Sequence, residues 1–488
     1  MVTDMRDSAW TDLDRLVEDA MKCWGVPGLA VGVIHGDDVI LLKGYGTREL
    51  GTNAPVTCDT QFMICSLSKS ITAAGLALLV DEQRLGWDTK VREILPEFQL
   101  RDSNATEEIT VSDLLTHRSG LPAHDRIWSP PGQRSRQQML DALRHLEFSR
   151  HLRESFQYSN LSYVVAGMLA ERLSGQSWEQ FTTQRLLLPL GFTGFGFSTA
   201  DLESAVDRAL PHQWDRRGVY QGKLWPMQAT PAGGINASAA DMARWVRFLL
   251  LRGRGNGRQL VSQAAIDAMM TPHINAGDSE FAEIGKIRYG YGLTCEHYRG
   301  DVTVSHTGSQ PGWGALMTMM PAHRIGVVVL TNRDPSPVRE LIAYAIFDRL
   351  RSLAPLDWFD VFRARRQAAL NKEETEERAR ALAHLSDSPL DEPPEDLIGE
   401  YEHPGYGRIS IVRGASAMHW SWRGLRGMLV SRAQNLFQLK EDGEARYPSG
   451  IVISFEKNPQ DRVDALRSPL EPAVSDIVFQ RRVAGGTQ

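Results

Sequence analysis

Cysteine is scarce in this chain, with four residues among 488, and none stands in a C-x-x-C or zinc-finger spacing. We therefore expect no structural zinc site, and a chain of this length needs no disulfide framework. Long apolar runs are also missing, since 71–80 and 325–330 fall short of the roughly 20 residues of a membrane-spanning helix. Residues 1–13 carry four charged side chains and no apolar core of a secretory signal. These absences predict a cytoplasmic protein that does not act at a membrane.

Basic residues are not in excess either. Lys and Arg number 54 against 60 Asp and Glu, so the net charge of −6 provides no surplus for binding nucleic acid phosphates. Hydrophobic residues make up 42% and charged residues 23%, as in globular proteins. No convincing P-loop, dinucleotide-binding, HExxH or GxSxG motif is present. We therefore expect no metal and no other cofactor.

Hydrophobic periodicity predicts strands near both ends of residues 1–353 and helices between them. Two apolar runs, Leu29–Ile34 and Val39–Leu42, flank a Gly-Asp-Asp turn and predict a β-hairpin. Helices are expected at 9–23, 69–82, 111–116, 161–172, 239–251 and 262–270, and further strands at 303–305, 314–320 and 325–331. The predicted fold class is α+β, with an antiparallel sheet built from distant segments, flanking helices and a helical region.

The C-terminal part of the chain has a different pattern. A charged helix is expected at 363–384, and an acidic, proline-rich linker follows at 387–395. Short aromatic strands are expected at 408–412, 418–422, 436–439, 451–455 and 477–480. The pattern predicts a main domain at 1–353, a helix and linker at 354–396, and a small antiparallel β-barrel at 397–488.

Ser66 and Lys69 form an S-x-x-K pair at the predicted start of a helix. Residues three apart lie on one helical face, and burial of a lysine lowers its pKa, so Lys69 can help Ser66 to attack a carbonyl. Because Ser and Lys are common residues, an N-cap serine beside a solvated lysine explains an isolated S-x-x-K equally well. Further partners are needed to decide between the two interpretations.

Two later segments supply such partners. Tyr158 can transfer a proton to a leaving group, and the amide of Asn160 can orient both substrate and lysine. Gly308 follows a predicted strand and permits a substrate to approach the backbone. The N–H of Ser309 can then join that of Ser66 in an oxyanion hole.

These motifs occur in the order S-L-S-K at 66–69, Y-S-N at 158–160 and H-T-G at 306–308. In that order they resemble the serine β-lactamase and penicillin-recognising hydrolase family, in its branch of class C β-lactamases, D-alanyl-D-alanine carboxypeptidases, D-aminopeptidases and esterases. The stretches 111–122 and 231–235 also match, and the resemblance covers about residues 10–350. It implies a β-lactamase/transpeptidase-like fold with catalytic Ser66, Lys69 and Tyr158.

One departure from the family pattern concerns His306. β-Lactamases and carboxypeptidases of the family usually carry lysine at this position. A histidine here makes the sequence similar to the D-aminopeptidase-like and amidase-like members. We expect His306 to be mostly neutral near pH 7 and either to assist proton transfer or to hold a purely positional hydrogen bond. The segment Tyr401–Arg408 resembles the opening of the lipocalin-like barrel appended to some peptidase members.

The leading hypothesis is a serine hydrolase that forms an acyl-enzyme on Ser66 and acts on an amide or ester bond of a small-molecule or short peptide substrate. A peptidase or amidase of D-aminopeptidase type is favoured. A small-molecule esterase, a β-lactamase, an acyltransferase and a non-catalytic binding protein are the alternatives, and homo-oligomer formation is left open. His117 and Arg118 are interpreted as structural. Three tryptophans either line a pocket or belong to the core, namely Trp128, Trp225 and Trp313.

Overall fold

The computed structural model describes residues 4–129, 134–215, 217–227, 230–384, 395–414, 417–433, 435–441 and 451–482. The chain forms two compact units. Unit 1 comprises Met1–Phe98, Glu107–Gly120 and His151–Phe362, and unit 2 comprises Gln99–Thr106, Leu121–Arg150 and Arg363–Gln488. The domain limits expected at 353 and 397 stay a prediction. Apart from Glu395, the predicted linker lies outside the described residues.

The helices of the described ranges include those expected and add a helix at Val338–Leu350, which has 13 residues and was not predicted, and several short ones. They are α1 (Asp4–Trp24), α2 (Ser68–Asp81), α3 (Val91–Ile94), α4 (Ser103–Glu108), α5 (Val111–Leu115), α6 (Arg136–Leu143), α7 (Asn160–Ser174), α8 (Trp178–Thr182), α9 (Thr199–Ser204), α10 (Ala239–Leu250), α11 (Gln263–Met270), α12 (Val338–Leu350) and α13 (Trp358–His384). None of these helices is long and apolar enough to cross a bilayer.

The strands of unit 1 are β1 (Gly28–His35), β2 (Asp38–Gly46), β3 (Gln61–Met63), β4 (Phe195–Gly196), β5 (His212–Asp215), β6 (Gly218–Gln221), β7 (Asn236–Ser238), β8 (Arg254–Gly255), β9 (Arg258–Gln259), β10 (Ile274–Asp278), β11 (Lys286–Tyr289), β12 (Thr294–Tyr298), β13 (Asp301–Gln310), β14 (Trp313–Met320) and β15 (Ile325–Thr331). The strands of unit 2 are β16 (Gly399–His403), β17 (Gly407–Arg413), β18 (Met418–Trp422), β19 (Leu425–Ala433), β20 (Leu436–Glu441), β21 (Ile451–Lys457), β22 (Val463–Ser468) and β23 (Ile477–Arg481).

The main sheet of unit 1 joins both ends of that unit. Its order is β10-β11-β12-β13-β14-β15-β1-β2, and every neighbouring pair is antiparallel. Leu29 of β1 pairs with Thr331 of β15, so strands from the start and end of the unit are hydrogen-bonded neighbours. The predicted α+β class, with one sheet built from distant segments, is confirmed.

The two faces of this sheet are covered by different helices. Val31, Val33 and Val327 point to one face and belong to an apolar cluster with residues of α1 and α12. On the other face α10 approaches so closely that a Cβ at Gly326 would lie 2.4 Å from Val246. Because successive residues of a strand point to opposite faces, the apolar runs of β1 and β15 are buried on both sides.

The helical region of unit 1 is built around α2. All residues from Ser68 to Leu79 are buried, so this helix is enclosed on every side rather than on one amphipathic face. It packs against α7, α8 and α11. Its N-terminus follows β3, which belongs to a small sheet of order β3-β7-β4. This arrangement places the S-x-x-K segment where the small sheet meets the helical region.

Unit 2 contains a closed barrel of β16–β23, which confirms the predicted C-terminal barrel. Large aromatic side chains are buried within the unit, including Tyr401, Trp420, Phe455 and Phe479. Eight strands enclose an interior that side chains can fill, and these rings supply that filling. Three strands of the barrel were not expected from the sequence, β16, β19 and β22, because their apolar alternation is weaker.

Candidate active site

Ser66 lies in a short 3-10 turn, Cys65–Leu67, directly before α2. The backbone of β13 approaches this turn closely, since a Cβ at Gly308 would lie 2.5 Å from Ile64 O and 3.0 Å from Cys65 Cβ. A Cβ at Gly233 would lie 3.8 Å from the Ser66 nitrogen. At position 308 only glycine permits this approach of backbone to backbone, whereas the distances at Gly233 are ordinary contacts. The H-T-G and P-A-G-G-I segments therefore enclose the S-x-x-K turn.

The S-x-x-K geometry brings Lys69 to Ser66. The Nζ of Lys69 is 3.0 Å from Ser66 Oγ, and the lysine is fully buried. Two further oxygens lie 2.7 Å from Nζ, the Oδ1 of Asn160 and the carbonyl O of Ala232. Since both of these can only accept, they use two N–H groups and direct the remaining position of the nitrogen at Ser66. The arrangement suits proton exchange between Nζ and Oγ.

The Y-S-N segment lies on the other side of Lys69. The ring centroid of Tyr158 is 4.7 Å from Lys69 Nζ. His117 holds this segment in place. Its Nδ1 accepts a hydrogen bond from the backbone N–H of Ser159 at 3.1 Å, and its ring centroid lies 4.4 Å from the ring centroid of Tyr158. Burial, together with the electrostatic effect of Lys69, holds the pKa of His117 well below its usual value. A neutral His117 thus positions the two residues on either side of Ser159.

His306 is buried and both of its ring nitrogens are engaged. Its Nδ1 lies 2.6 Å from Thr307 O, which can only accept, so Nδ1 carries the proton and Nε2 accepts from the hydroxyl of Tyr289 at 2.9 Å. Burial and the charge of Lys69 lower the pKa of His306 to about 3. The imidazole is therefore neutral at pH 7. A part in proton transfer stays a prediction, and these contacts favour the positional alternative.

The end of β13 has one unpaired side. Its pairing with β12 runs from Asp301 to Ser305, and beyond that point it pairs only with β14. A two-residue turn connects Gln310 to Trp313, so this closing pair is hydrogen-bonded and the adjacent pair, Ser309 with Gly314, is not. The N–H of Ser309 consequently points away from β14, toward the side that β12 leaves open.

The predicted site residues lie in one unit, but some of their partners were not anticipated. Ala232 lies in the matching stretch 231–235, but nothing in that stretch predicted that its carbonyl would face Lys69. The hydroxyl of Tyr289 belongs to no motif, and His117 was interpreted only as structural. Trp313 is 2% exposed and packs edge-on against Phe62, so it belongs to the core. Among the described residues no group of His, Cys, Asp and Glu side chains could hold a metal ion.

The model of the Beta-lactamase family matches residues 13–351. The chain belongs to the beta-lactamase family. It is a serine hydrolase, as the family and the hydrolases among its relatives indicate. The match covers unit 1 residues that carry all three motifs.

Comparison with individual proteins adds one relative and two solved structures. The unguisins hydrolase ungD' of Aspergillus campestris (strain IBT 28561) is 27% identical over 434 residues, which are 84% of this chain and 79% of that protein. The octameric penicillin-binding protein homologue from Pyrococcus abyssi superposes with a TM-score of 0.64 at 23% identity, covering 96% of this chain and 99% of that one. EstCE1, a hydrolase with promiscuous acyltransferase activity, superposes with a TM-score of 0.58 at 19% identity, covering 69% of this chain and 98% of that one. Both structures share the fold.

Proposed function

We propose that the chain hydrolyses an amide bond through an acyl-enzyme on Ser66, as a peptidase or amidase of D-aminopeptidase type. The observation that carries the proposal is the approach of Lys69 Nζ to Ser66 Oγ at 3.0 Å, with Asn160 and Ala232 occupying the other two hydrogen-bonding directions of the nitrogen. A serine so placed has a base within hydrogen-bonding distance, as nucleophilic catalysis requires.

Acylation proceeds by attack of Ser66 Oγ on the substrate carbonyl carbon. The hydroxyl proton passes to Lys69 Nζ, which acts as the neutral amine. Tyr158 gives its hydroxyl proton to the leaving amine nitrogen as the carbon–nitrogen bond breaks, and the proton gained by Lys69 restores the tyrosine hydroxyl. The N–H groups of Ser66 and Ser309 hold the negative charge that develops on the carbonyl oxygen. Asn160 positions the acyl part of the substrate through its Nδ2, since its Oδ1 faces Lys69. Water then attacks the ester and releases the acid with Ser66 restored.

The neutral His306 bears on the choice of substrate. At this position the resemblance implies a lysine cation in β-lactamases and carboxypeptidases, which helps to hold a substrate carboxylate. With a pKa of about 3, His306 supplies no such charge at neutral pH. This supports a substrate whose recognition does not depend on a carboxylate at that place. The relative named as a hydrolase of unguisins supports hydrolysis as the reaction.

Esterase and acyltransferase activity is the second candidate. EstCE1, which shares the fold, is described as a hydrolase with promiscuous acyltransferase activity. An acyl-enzyme on Ser66 can pass its acyl group to an alcohol or amine as well as to water. Turnover of p-nitrophenyl esters with no turnover of D-amino-acid amides would replace the peptidase proposal by this one. Homo-oligomer formation also stays a prediction for this chain.

The decisive experiment is labelling with a fluorophosphonate, followed by mass spectrometry of the modified peptide. Wild-type protein should be modified at Ser66, and Ser66→Ala should lose both labelling and hydrolysis of D-amino-acid amides. Ser70→Ala is the matched control, because this serine lies one turn further along and its hydroxyl binds Leu67 O and the indole N–H of Trp245. Full turnover by Ser66→Ala would show the assignment to be wrong.

A further inference from the structure

We propose that Arg339, paired with Asp334, holds and polarises the Gly308–Ser309 peptide group, which makes Arg339 a positioning residue of the oxyanion hole. The inference rests on the proposed acyl-enzyme reaction at Ser66. It concerns how one of the two oxyanion donors is oriented and strengthened by groups that do not touch the substrate.

The contacts of Arg339 enclose this peptide group from the α12 side of the sheet. The guanidinium is 8% exposed, and its Nη1 donates to Gly308 O at 2.6 Å and to Ala315 O at 3.2 Å. Its Nη2 lies 3.0 Å from Asp334 Oδ1, and the hydroxyl of Ser309 donates to the other oxygen of that carboxylate. The ion pair therefore binds the carbonyl of the peptide group on one side and the side chain of the following residue on the other.

The neighbouring strand leaves room for the guanidinium. A Cβ at Gly314 would lie 3.0 Å from Arg339 Nη1 and 2.6 Å from Thr331 Oγ1. Any larger residue at position 314 would push the arginine away from the carbonyl of Gly308. The space occupied by Nη1 thus depends on a glycine directly opposite Ser309.

The same contacts agree with the direction of the Ser309 N–H. One guanidinium nitrogen reaches the carbonyls of both Gly308 and Ala315, which requires both oxygens to point into the space between β13 and β14. Carbonyl oxygens in that position belong to a hydrogen-bonded antiparallel pair, here Gly308 with Ala315. In the next pair of the ladder the N–H and C=O groups point outward instead. The N–H of Ser309 therefore points out of the pair, as the two-residue turn also indicates.

The carbonyl of Gly308 and the N–H of Ser309 belong to one peptide group. A charge-assisted hydrogen bond to the carbonyl oxygen draws electron density from the nitrogen and strengthens its N–H as a donor. Asp334 balances the guanidinium charge of Arg339. The arginine therefore acts on the oxyanion hole by strengthening the Ser309 N–H as a donor, and not by placing an unbalanced positive charge there. Holding both sides of the peptide group also limits its rotation, which keeps the donor oriented before the substrate binds.

The test compares hydrolysis of a p-nitrophenyl ester with that of the matching thionoester, whose sulfur is a poor hydrogen-bond acceptor. Complete loss of an oxyanion donor costs about 10²–10³ in kcat, and we expect the weakened donor of Arg339→Met to cost about tenfold. The loss should appear in kcat for the oxygen ester with KM little changed. The thionoester rate should stay near that of the wild type, so the ratio of the two rates falls about tenfold. Arg339→Lys, which keeps the charge, should fall between the two.

Arg299→Met is the matched control, because Arg299 also pairs with a buried aspartate of unit 1, Asp348, at 2.8 Å. It should keep the wild-type ratio of rates whatever its stability. If Arg339→Met does not fold, Arg339→Lys carries the same comparison. A wild-type ratio in the folded Arg339 variant would overturn this inference alone, provided that turnover still requires Ser66. Turnover that survives Ser66→Ala would instead overturn the proposed function.

Discussion

Cys65 precedes the nucleophile in a conformation that L-residues rarely adopt, with φ of 51°. The left-handed region costs a non-glycine residue roughly 1–2 kcal/mol, because Cβ approaches the following carbonyl. The side chain is buried, and a Cβ at Gly308 would lie only 3.0 Å from Cys65 Cβ. A small unbranched residue is what this position tolerates. The conformation also turns the chain sharply between β3 and α2, which brings Ser66 onto the short turn before the helix.

Cys65→Val should lower the free energy of unfolding by about 2–4 kcal/mol. A β-branched side chain fits the left-handed region poorly, and its extra carbon would be overpacked against Gly308. The midpoint of urea denaturation measures the loss. Cys65→Ala, which has no branch, should stay within about 1 kcal/mol of the wild type. Equal stability of the valine and alanine variants would argue against strain at this position.

At the scale of elements, α5 is held by a single buried carboxylate. Asp113 completes a capping box with Thr110 at the start of the helix. The same carboxylate accepts from Arg118 at 2.5 Å and from Arg153 at 2.8 Å. Burial opposes ionisation, but the hydrogen bonds and charges of these partners hold the pKa of Asp113 below its usual value. Because His117 follows α5 directly, this cap also supports the Y-S-N segment, which explains why Arg118 is structural.

Asp113→Asn should destabilise the protein by about 3 kcal/mol, since it leaves two arginines facing an uncharged buried amide. Thermal unfolding followed by circular dichroism gives the change. Glu107→Gln, which removes one exposed partner of Arg92, should cost less than about 1 kcal/mol. Similar losses in the two variants would contradict the special role of the buried cap.

At the scale of the whole molecule, both units contain histidines that burial keeps neutral. The pKa is lowered from its usual value, chiefly by burial, at His117, His124, His212, His273, His306 and His403. The pKa is about 3 at His306 and about 4 at His403. In unit 2, for example, His124 Nδ1 lies 2.7 Å from the hydroxyl of Tyr406. The packing of both units therefore depends on imidazoles that carry no charge.

We expect stability to fall as the pH is lowered from about 6.5 toward 4. Below pH 6.5 the unfolded chain binds protons at these imidazoles more readily than the folded protein does. For His306 and His403, with pKa values of about 3 and about 4, acid therefore favours unfolding by about 1.4 kcal/mol per pH unit each until the pH nears those values. Tm measured from pH 7.5 to 4.5 tests this. His403→Asn should flatten the profile, and replacement of the exposed His151 by Asn should not. A Tm that is constant over this range would refute the expectation.

Much of the fold could be predicted because local patterns carry it. Apolar periodicity placed the β1–β2 hairpin and the helices α1, α2, α7 and α10, and alternation with aromatics indicated the barrel. The periodicity did not lead to a prediction of α12, although this helix has 13 residues. β19 was missed because its sequence, L-R-G-M-L-V-S-R-A, interrupts the alternation with glycine and arginine. The short strands β3, β4 and β7 were also missed, since two or three residues are too few for a period to show.

The sequence predicted that Ser66 and Lys69 lie together, because residues three apart at the start of a helix face the same side, and the Y-S-N and H-T-G motifs distinguished this pair from a chance S-x-x-K. It also determined the order of the motifs and hence the family. Three hydrogen-bond partners of the site residues became visible in the tertiary structure alone. The carbonyl of Ala232 accepts from Lys69, the hydroxyl of Tyr289 contacts His306, and Arg339 donates to the carbonyl of Gly308. These partners are joined by packing between distant segments, and no local period records which backbone oxygen or hydroxyl will face a given side chain. The chemistry was therefore readable from spacing, whereas the protonation of His306 and the orientation of the oxyanion donor depended on the fold.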